Sequence, residues 1–148
     1  MSTTQPSKDF AFDVFVSYRQ REQDLSWVRK KLVPRLEAEG LRPFVDYKHF
    51  KLGAPLVLEM ARGVESCRYT LAVLSPKYLE SNFTELENVL AEHLGLENSE
   101  RSLIAVMIEA CKPRLGMRTR LWLSMMSDEE FEANFETLVN ALREPPTK

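Results

Sequence analysis

The chain has 148 residues with a formal net charge of -2; 44% of them are hydrophobic and 28% charged, the make-up of a globular domain long enough to bury a core. With no basic stripe and a near-neutral balance, nothing points to a nucleic-acid partner, and no apolar run reaches the length of a membrane span. The two cysteines, Cys67 and Cys111, lack metal-ligand spacing and follow no signal peptide, so the expectation is a reducing, cytoplasmic setting and no metal.

In chain order, residues 1–9 are polar and expected to be disordered, the domain spans 10–143, and 144–148 read as a linker or tail. Phe10 to Tyr18 is almost entirely apolar or aromatic and predicts a central strand. Asp24 stands as a possible N-cap before Leu25, Val28, Leu32 and Leu36, which keep helical spacing until Gly40. Pro34 inside that run predicts a kink or a helix in two pieces. Leu41 to Tyr47 predicts a second strand, Lys48 to Pro55 a basic loop with Gly53 free to take positive φ, and Leu56, Met60 and Val64 the next helical face.

Tyr69 to Leu74 then predicts a strand buried on both faces and stopped by Ser75-Pro76. In the next helix, Asn82 and Glu85 have capping-box spacing. Phe83, Leu86, Val89, Leu90 and Leu94 share one face, and Glu85, Asn88 and Glu92 the opposite one. Glu87 lies only about 40° from Phe83 on the wheel. A carboxylate there either reaches past the apolar stripe to water or faces a pocket, and periodicity alone favours the first. Ser102 to Ile108 predicts a fourth strand and Thr119 to Leu123 a short edge strand. Ser127, with Glu130 at the third helical position, caps a last helix whose Phe131, Phe135, Leu138 and Leu142 face inward. Strands apolar on both faces and joined by helices call for a flavodoxin-like, doubly wound α/β domain with a five-stranded parallel sheet in the order 2-1-3-4-5. Ligands in such sheets bind outside the carboxyl ends of the strands, where Ser17 to Arg19, Asp46 to Gly53 and Ser75 to Glu87 should converge.

Those residues resemble the TIR (Toll/interleukin-1 receptor) domain family over Asp13 to about Leu142. The resemblance rests on Asp13-Val-Phe-Val-Ser-Tyr-Arg19, on Phe44-Val-Asp46 leading to Gly53, on Val73-Leu-Ser-Pro76, and on Ser81-Asn-Phe-Thr-Glu-Leu-Glu87. It implies one of two roles: homotypic assembly in signalling, or hydrolysis of NAD+ by assembled domains. Leu52-Gly53 and Arg19 are nearer the NAD+-cleaving group, while Trp27-Val28 through Glu37 looks like the first helix of animal receptor TIRs. On the first role's side the domain would be a non-enzymatic scaffold. On the second, the resemblance makes Glu87 the catalytic carboxylate beside the ribose, and NAD+ a substrate with no cofactor required. Phe83 stands where the family has tryptophan and would stack on nicotinamide or ribose. Arg19, with Lys48 or Lys51, would offset the pyrophosphate. Tyr18 and Phe50 would line the pocket with the Asp46, Leu52 and Gly53 loop, and Ser75 would orient a ribose hydroxyl. His49 and His93 carry no catalytic or metal role, and Cys67 is expected to be a buried thiol. A phosphate-responsive receiver domain fits poorly, because the first strand lacks the paired acidic residues that hold Mg2+.

Overall fold

Runs that are apolar on both faces are hidden only between two helical layers, and the computed structural model, which describes residues 10–95, 102–112 and 122–145, has that form. Its described strands are β1 (Phe12–Ser17), β2 (Pro43–Phe44), β3 (Cys67–Leu74), β4 (Leu103–Met107) and β5 (Leu123–Ser124). They form one sheet in the order β2-β1-β3-β4-β5, parallel at every pairing. The described helices are α1 (22–38), α2 (Asp46–His49), α3 (Leu56–Ser66), α4 (Pro76–Ser81), α5 (Phe83–Leu94) and α6 (Asp128–Arg143). The expected doubly wound sheet and its strand order are therefore observed.

The pleat of each strand sorts its side chains between two cores. Val14, Val16, Leu71, Val73 and Val106 join the core under α1 and α6, with Leu32, Leu36, Phe131 and Leu138. Phe15, Ala72, Leu74, Ala105 and Met107 join the core under α3 and α5, with Val64, Leu86 and Leu90. The four inward residues expected of α6 are all buried. Ser127 caps that helix as expected, its Oγ accepting from the Glu130 N–H at 3.1 Å. The Glu130 carboxylate turns instead to the Ser124 hydroxyl and the Met126 N–H.

Several local expectations are corrected. Proline has no N–H to donate, yet α1 does not break at Pro34. The helix is π-helical over Trp27–Leu32, and the Val33 N–H donates to the Val28 carbonyl, one residue further back than in an α-helix. Pro34 follows that π-helical turn directly, as the second residue of the α-helical stretch Val33–Ala38. Asp24 does not cap α1; it lies inside it, 4% exposed, and accepts from the Ser75 hydroxyl at 2.5 Å. The second strand covers only Pro43–Phe44 rather than 41–47. Val45 is claimed locally: its N–H donates to His49 Nδ1 at 3.0 Å and its carbonyl accepts from the His49 N–H at 2.9 Å, which closes the helical turn α2. Ser75-Pro76 does stop β3, which ends at Leu74, but it also starts a helix that was not expected there, with Ser75 Oγ accepting from the Tyr78 N–H and proline in the first turn. The chain is thus already helical when it reaches Asn82 (φ -97°, ψ -32°), so the Asn82–Glu85 capping box does not form. The expectations for 1–9, for the loop through 113–118 and for a strand over 119–121 lie outside the described residues.

His49 also gives the sheet edge a pH dependence. Burial pushes its pKa below the usual 6.5; the Val45 carbonyl opposes this, and the nearby Lys48 and Arg62 charges add to it. A histidine with a depressed folded-state pKa favours the folded state when neutral. Its contribution is complete above about pH 6.5 and declines as the pH falls toward the folded value. Between pH 7.5 and 5.5 the wild-type melting temperature is expected to fall on the order of a few degrees. His49→Gln should remove much of that slope in thermal circular dichroism; a slope unchanged in the variant would assign the effect to other groups.

Candidate functional site

The cleft opens where a doubly wound sheet is expected to bind ligands, outside the carboxyl end of β1. Its floor is Phe15 to Tyr18, with Gln20 just beyond. One wall comes from Asp46 and Phe50 after β2 and from Leu56 and Met60 of α3; the other comes from Asn82 and Glu85 where α5 begins. The cavity volume is about 60 Å³. Two carboxylates border the cleft, and among the described residues no lysine or arginine does.

Two polar networks hold this region. In the first, the Tyr18 hydroxyl donates to Asp46 Oδ1 at 2.5 Å. Arg29 of α1 donates from Nε to the Tyr18 oxygen at 3.1 Å and from Nη2 to Asp46 Oδ2 at 3.4 Å. Its guanidinium also lies 4.5 Å from the centre of the Tyr47 ring. Burial, and then the Asp46 carboxylate, push the Tyr18 pKa well above the usual tyrosine value. In the second, the Ser17 and Tyr78 hydroxyls are 2.8 Å apart, and Ser75 bonds Asp24. Burial raises the Tyr78 pKa, and the Glu87 charge adds to the rise. Glu87 is therefore close enough to be felt at a hydroxyl whose partner, Ser17, lines the cleft.

Of the residues singled out from sequence, Tyr18, Asp46 and Phe50 come together at the cleft. Phe50 stacks on Phe15 with ring centres 6.3 Å apart. Glu87 is half-buried and does not border the cleft; Glu85, assigned by periodicity to the outer face, does. Phe83 is only 1% exposed and packs beside Tyr78 in the core, so it offers no aromatic face to a ligand. Ser75 is 1% exposed, its hydroxyl occupied by Asp24 and the Tyr78 N–H. Arg19 is half-buried and lies off the lining. Lys48 is exposed and paired with Glu37 at 2.7 Å. Lys51 is exposed, and its backbone N–H donates to Glu59 at 2.9 Å. Gly53 takes φ +85°, as its loop position required. Leu52 is fully exposed and begins a ridge with Leu56, Val57 and Leu58, which are 49%, 45% and 59% exposed.

Sequence reasoning missed Gln20, Asn82, Glu85 and Arg29. For Arg29 a weak signal existed: it adjoins Val28 and stands three residues before Leu32, at the border of a buried stripe. Among the described residues no cluster of histidine, cysteine and carboxylate groups could hold a metal ion, and no helix is long and apolar enough to cross a membrane.

The sheet order and the cleft beside the loop after β2 define a flavodoxin-like α/β domain with its polar centre at the carboxyl edge of β1. A family model described as "TIR domain" matches residues 14–139, and the chain belongs to the TIR domain family. It is 29% identical to Toll-like receptor 6 of Bos taurus over 98 residues, 66% of this chain and 12% of that receptor. It is 29% identical to Toll-like receptor 2 type-2 of Gallus gallus over 152 residues, 93% of this chain and 19% of that receptor. The chain thus spans less than a fifth of the length of these relatives. Among solved structures it resembles the TIR domain of the Toll-related receptor TRR-2 from Hydra magnipapillata (TM-score 0.75, 20% identity, covering 90% of this chain and 100% of that one). It also resembles a metazoan TIR-STING receptor from C. gigas in complex with 2',3'-cGAMP (TM-score 0.76, 18% identity, covering 96% and 43%). At these identities the likeness is one of fold.

Proposed function

We propose that this TIR domain self-associates through the Leu52–Leu58 ridge, and that the assembled cleft cleaves the nicotinamide–ribose bond of NAD+. The products are nicotinamide and ADP-ribose or its cyclic form, in cytoplasmic immune or cell-death signalling. The observation that carries the reading is an undersized cleft beside an exposed apolar ridge that runs from Leu52 into the first turn of α3. A volume of about 60 Å³ holds a few waters, far less than a dinucleotide, so a neighbouring copy or a shifted loop must complete the site. Exposed leucines and valines in one short stretch mark a contact surface. Both cysteines are free thiols, in keeping with a reducing compartment. No nucleic acid, membrane contact or cofactor belongs to the proposal.

The chemistry asks little of the protein. Nicotinamide departs as a neutral molecule, so no group need protonate it. The ribose C1′ becomes positive as the bond breaks, and a carboxylate, the role that the family resemblance gives to Glu87, stabilises that charge. Water then adds to C1′ and releases a proton. In this reading Arg19 and Lys51, neither of which lines the cleft, offset the pyrophosphate charge. A second reading, a non-enzymatic scaffold acting by TIR–TIR contacts, is favoured by the burial of Phe83 and by likeness to Toll-like receptors.

Sedimentation and nicotinamide release, both followed across a dilution series, test the proposal. Wild-type protein is expected to form dimers or larger species and to turn over faster per molecule as concentration rises. Leu58→Glu should stay monomeric and lose at least tenfold of that rate. A specific rate flat across dilution rejects the shared site. Association without any nicotinamide release leaves the scaffold reading.

A further inference from the structure

The connection from β2 to α3, a loop with the short helix α2 at its start, carries Asp46 in the cleft wall; the exposed ridge begins in it at Leu52 and continues into the first turn of α3. Two side-chain links tie this loop's start to α1. One is the exposed Lys48–Glu37 pair, each side chain at least 40% exposed. The other is Arg29, whose guanidinium meets the Tyr18 hydroxyl, the Asp46 carboxylate and the Tyr47 ring together. The Asp46 side chain is 14% exposed, and Arg29 is its ion-pair partner among the described residues. A carboxylate this secluded keeps its place only while its charge is compensated; without the guanidinium, water becomes the better partner. Moving Asp46 outward moves α2 and the start of the adjoining loop, since the amides of Lys48, His49 and Phe50 bond back to Val45 and Asp46. Arg29 itself is held in place by the π-helical turn, with Val28 and Leu32 buried beside it.

We propose that Arg29 is a positioning residue: it holds Asp46 in the cleft wall and thereby couples the cleft to Leu52, where the ridge begins in the same connection before it continues into α3. This deepens the reading of the cleft given above and rests on it. The exposed Lys48–Glu37 pair contributes little by comparison.

Hydrogen exchange by mass spectrometry, on the full chain, reads the coupling without reference to activity. In Arg29→Gln the amides over 46–53 are expected to exchange at least tenfold faster, while those of β3 keep their wild-type rates. Arg29→Lys, which retains charge but not the planar fork, should restore part of the protection. Asp46→Asn should reproduce the Arg29→Gln pattern, with the double variant adding no more than twofold. Glu37→Gln should match wild type. In kinetics, Arg29→Gln should raise KM for NAD+ at least tenfold with kcat changed less than threefold. Exchange over 46–53 within twofold of wild type overturns the proposal, as does faster exchange in β3, which would mark general destabilisation. Faster loop exchange with no nicotinamide release from any form supports the positioning role and rejects the catalytic reading of the cleft.

Discussion

Replacing Phe44 by alanine is expected to cost about 3–5 kcal/mol of stability, the range for truncating a fully buried aromatic residue. Phe44 is 0% exposed. Its ring meets Phe12 edge-on at 4.9 Å, Phe15 at 5.9 Å and Phe50 at 6.0 Å, and stacks on His49 at 5.1 Å. The Arg62 guanidinium covers it at 5.0 Å. β2 has only two residues, so few ladder hydrogen bonds hold that edge of the sheet, and the ring is its principal anchor. The packing is tight from the other side as well. A Cβ added at Gly63 of α3 would come within 2.7 Å of Phe15 Cδ1 and 3.1 Å of Phe44 Cδ1, which is why α3 approaches the sheet through a glycine. Phe44→Leu, which keeps much of the volume, should cost roughly 1.5 kcal/mol. Urea unfolding would measure both as shifts of the midpoint at constant slope. A loss below about 1 kcal/mol for Phe44→Ala would mean the edge strand is held by something other than this cluster.

Four strands were legible because two helical layers force their sequences to be apolar on both faces, a pattern that turns and exposed helices do not imitate. What was not legible depends on contacts between distant segments or on side chains competing with the backbone. The end of β2 is set by His49, whose ring nitrogen takes the Val45 N–H that a longer strand would have used. Pro34 announced a disturbance in α1, but whether the helix breaks or widens is decided by Val28 and Leu32, both buried against the sheet. The cleft was legible in part: Tyr18, Asp46 and Phe50 lie after the carboxyl ends of strands and meet there. Glu85 was misplaced because a helical wheel separates an apolar from a polar face and cannot say which polar residues face a neighbouring loop. Phe83 belongs to the apolar face by the same wheel, and its burial agrees with that periodicity, not with its likeness to the family's tryptophan.

That leaves two candidate carboxylates for one catalytic role, and a pair of substitutions separates them. Glu87→Gln is expected to lower kcat for nicotinamide release by about 10²–10⁴-fold with a smaller change in KM, because it removes charge that matters only as C1′ becomes positive. Glu85→Gln is expected to stay within about tenfold of wild type and to act mainly on KM, since a residue on the cleft rim meets bound substrate in ground and transition states alike. The distinction rests on position. Glu85 borders the opening together with Asn82. Glu87 lies further along α5, half-buried, with its charge felt at the Tyr78 hydroxyl that bonds Ser17. Both carboxylates are half-buried, so the expectation for Glu87 rests on its place in the signature Ser81 to Glu87 and not on greater shielding. Glutamine is close to isosteric with glutamate, so both variants should unfold near the wild-type temperature and the comparison is one of charge. Should Glu85→Gln prove the more damaging change, the catalytic role passes to the residue at the opening. Should neither alter the rate of a wild type that does release nicotinamide, the charge beside C1′ must come from the neighbouring copy in the assembly.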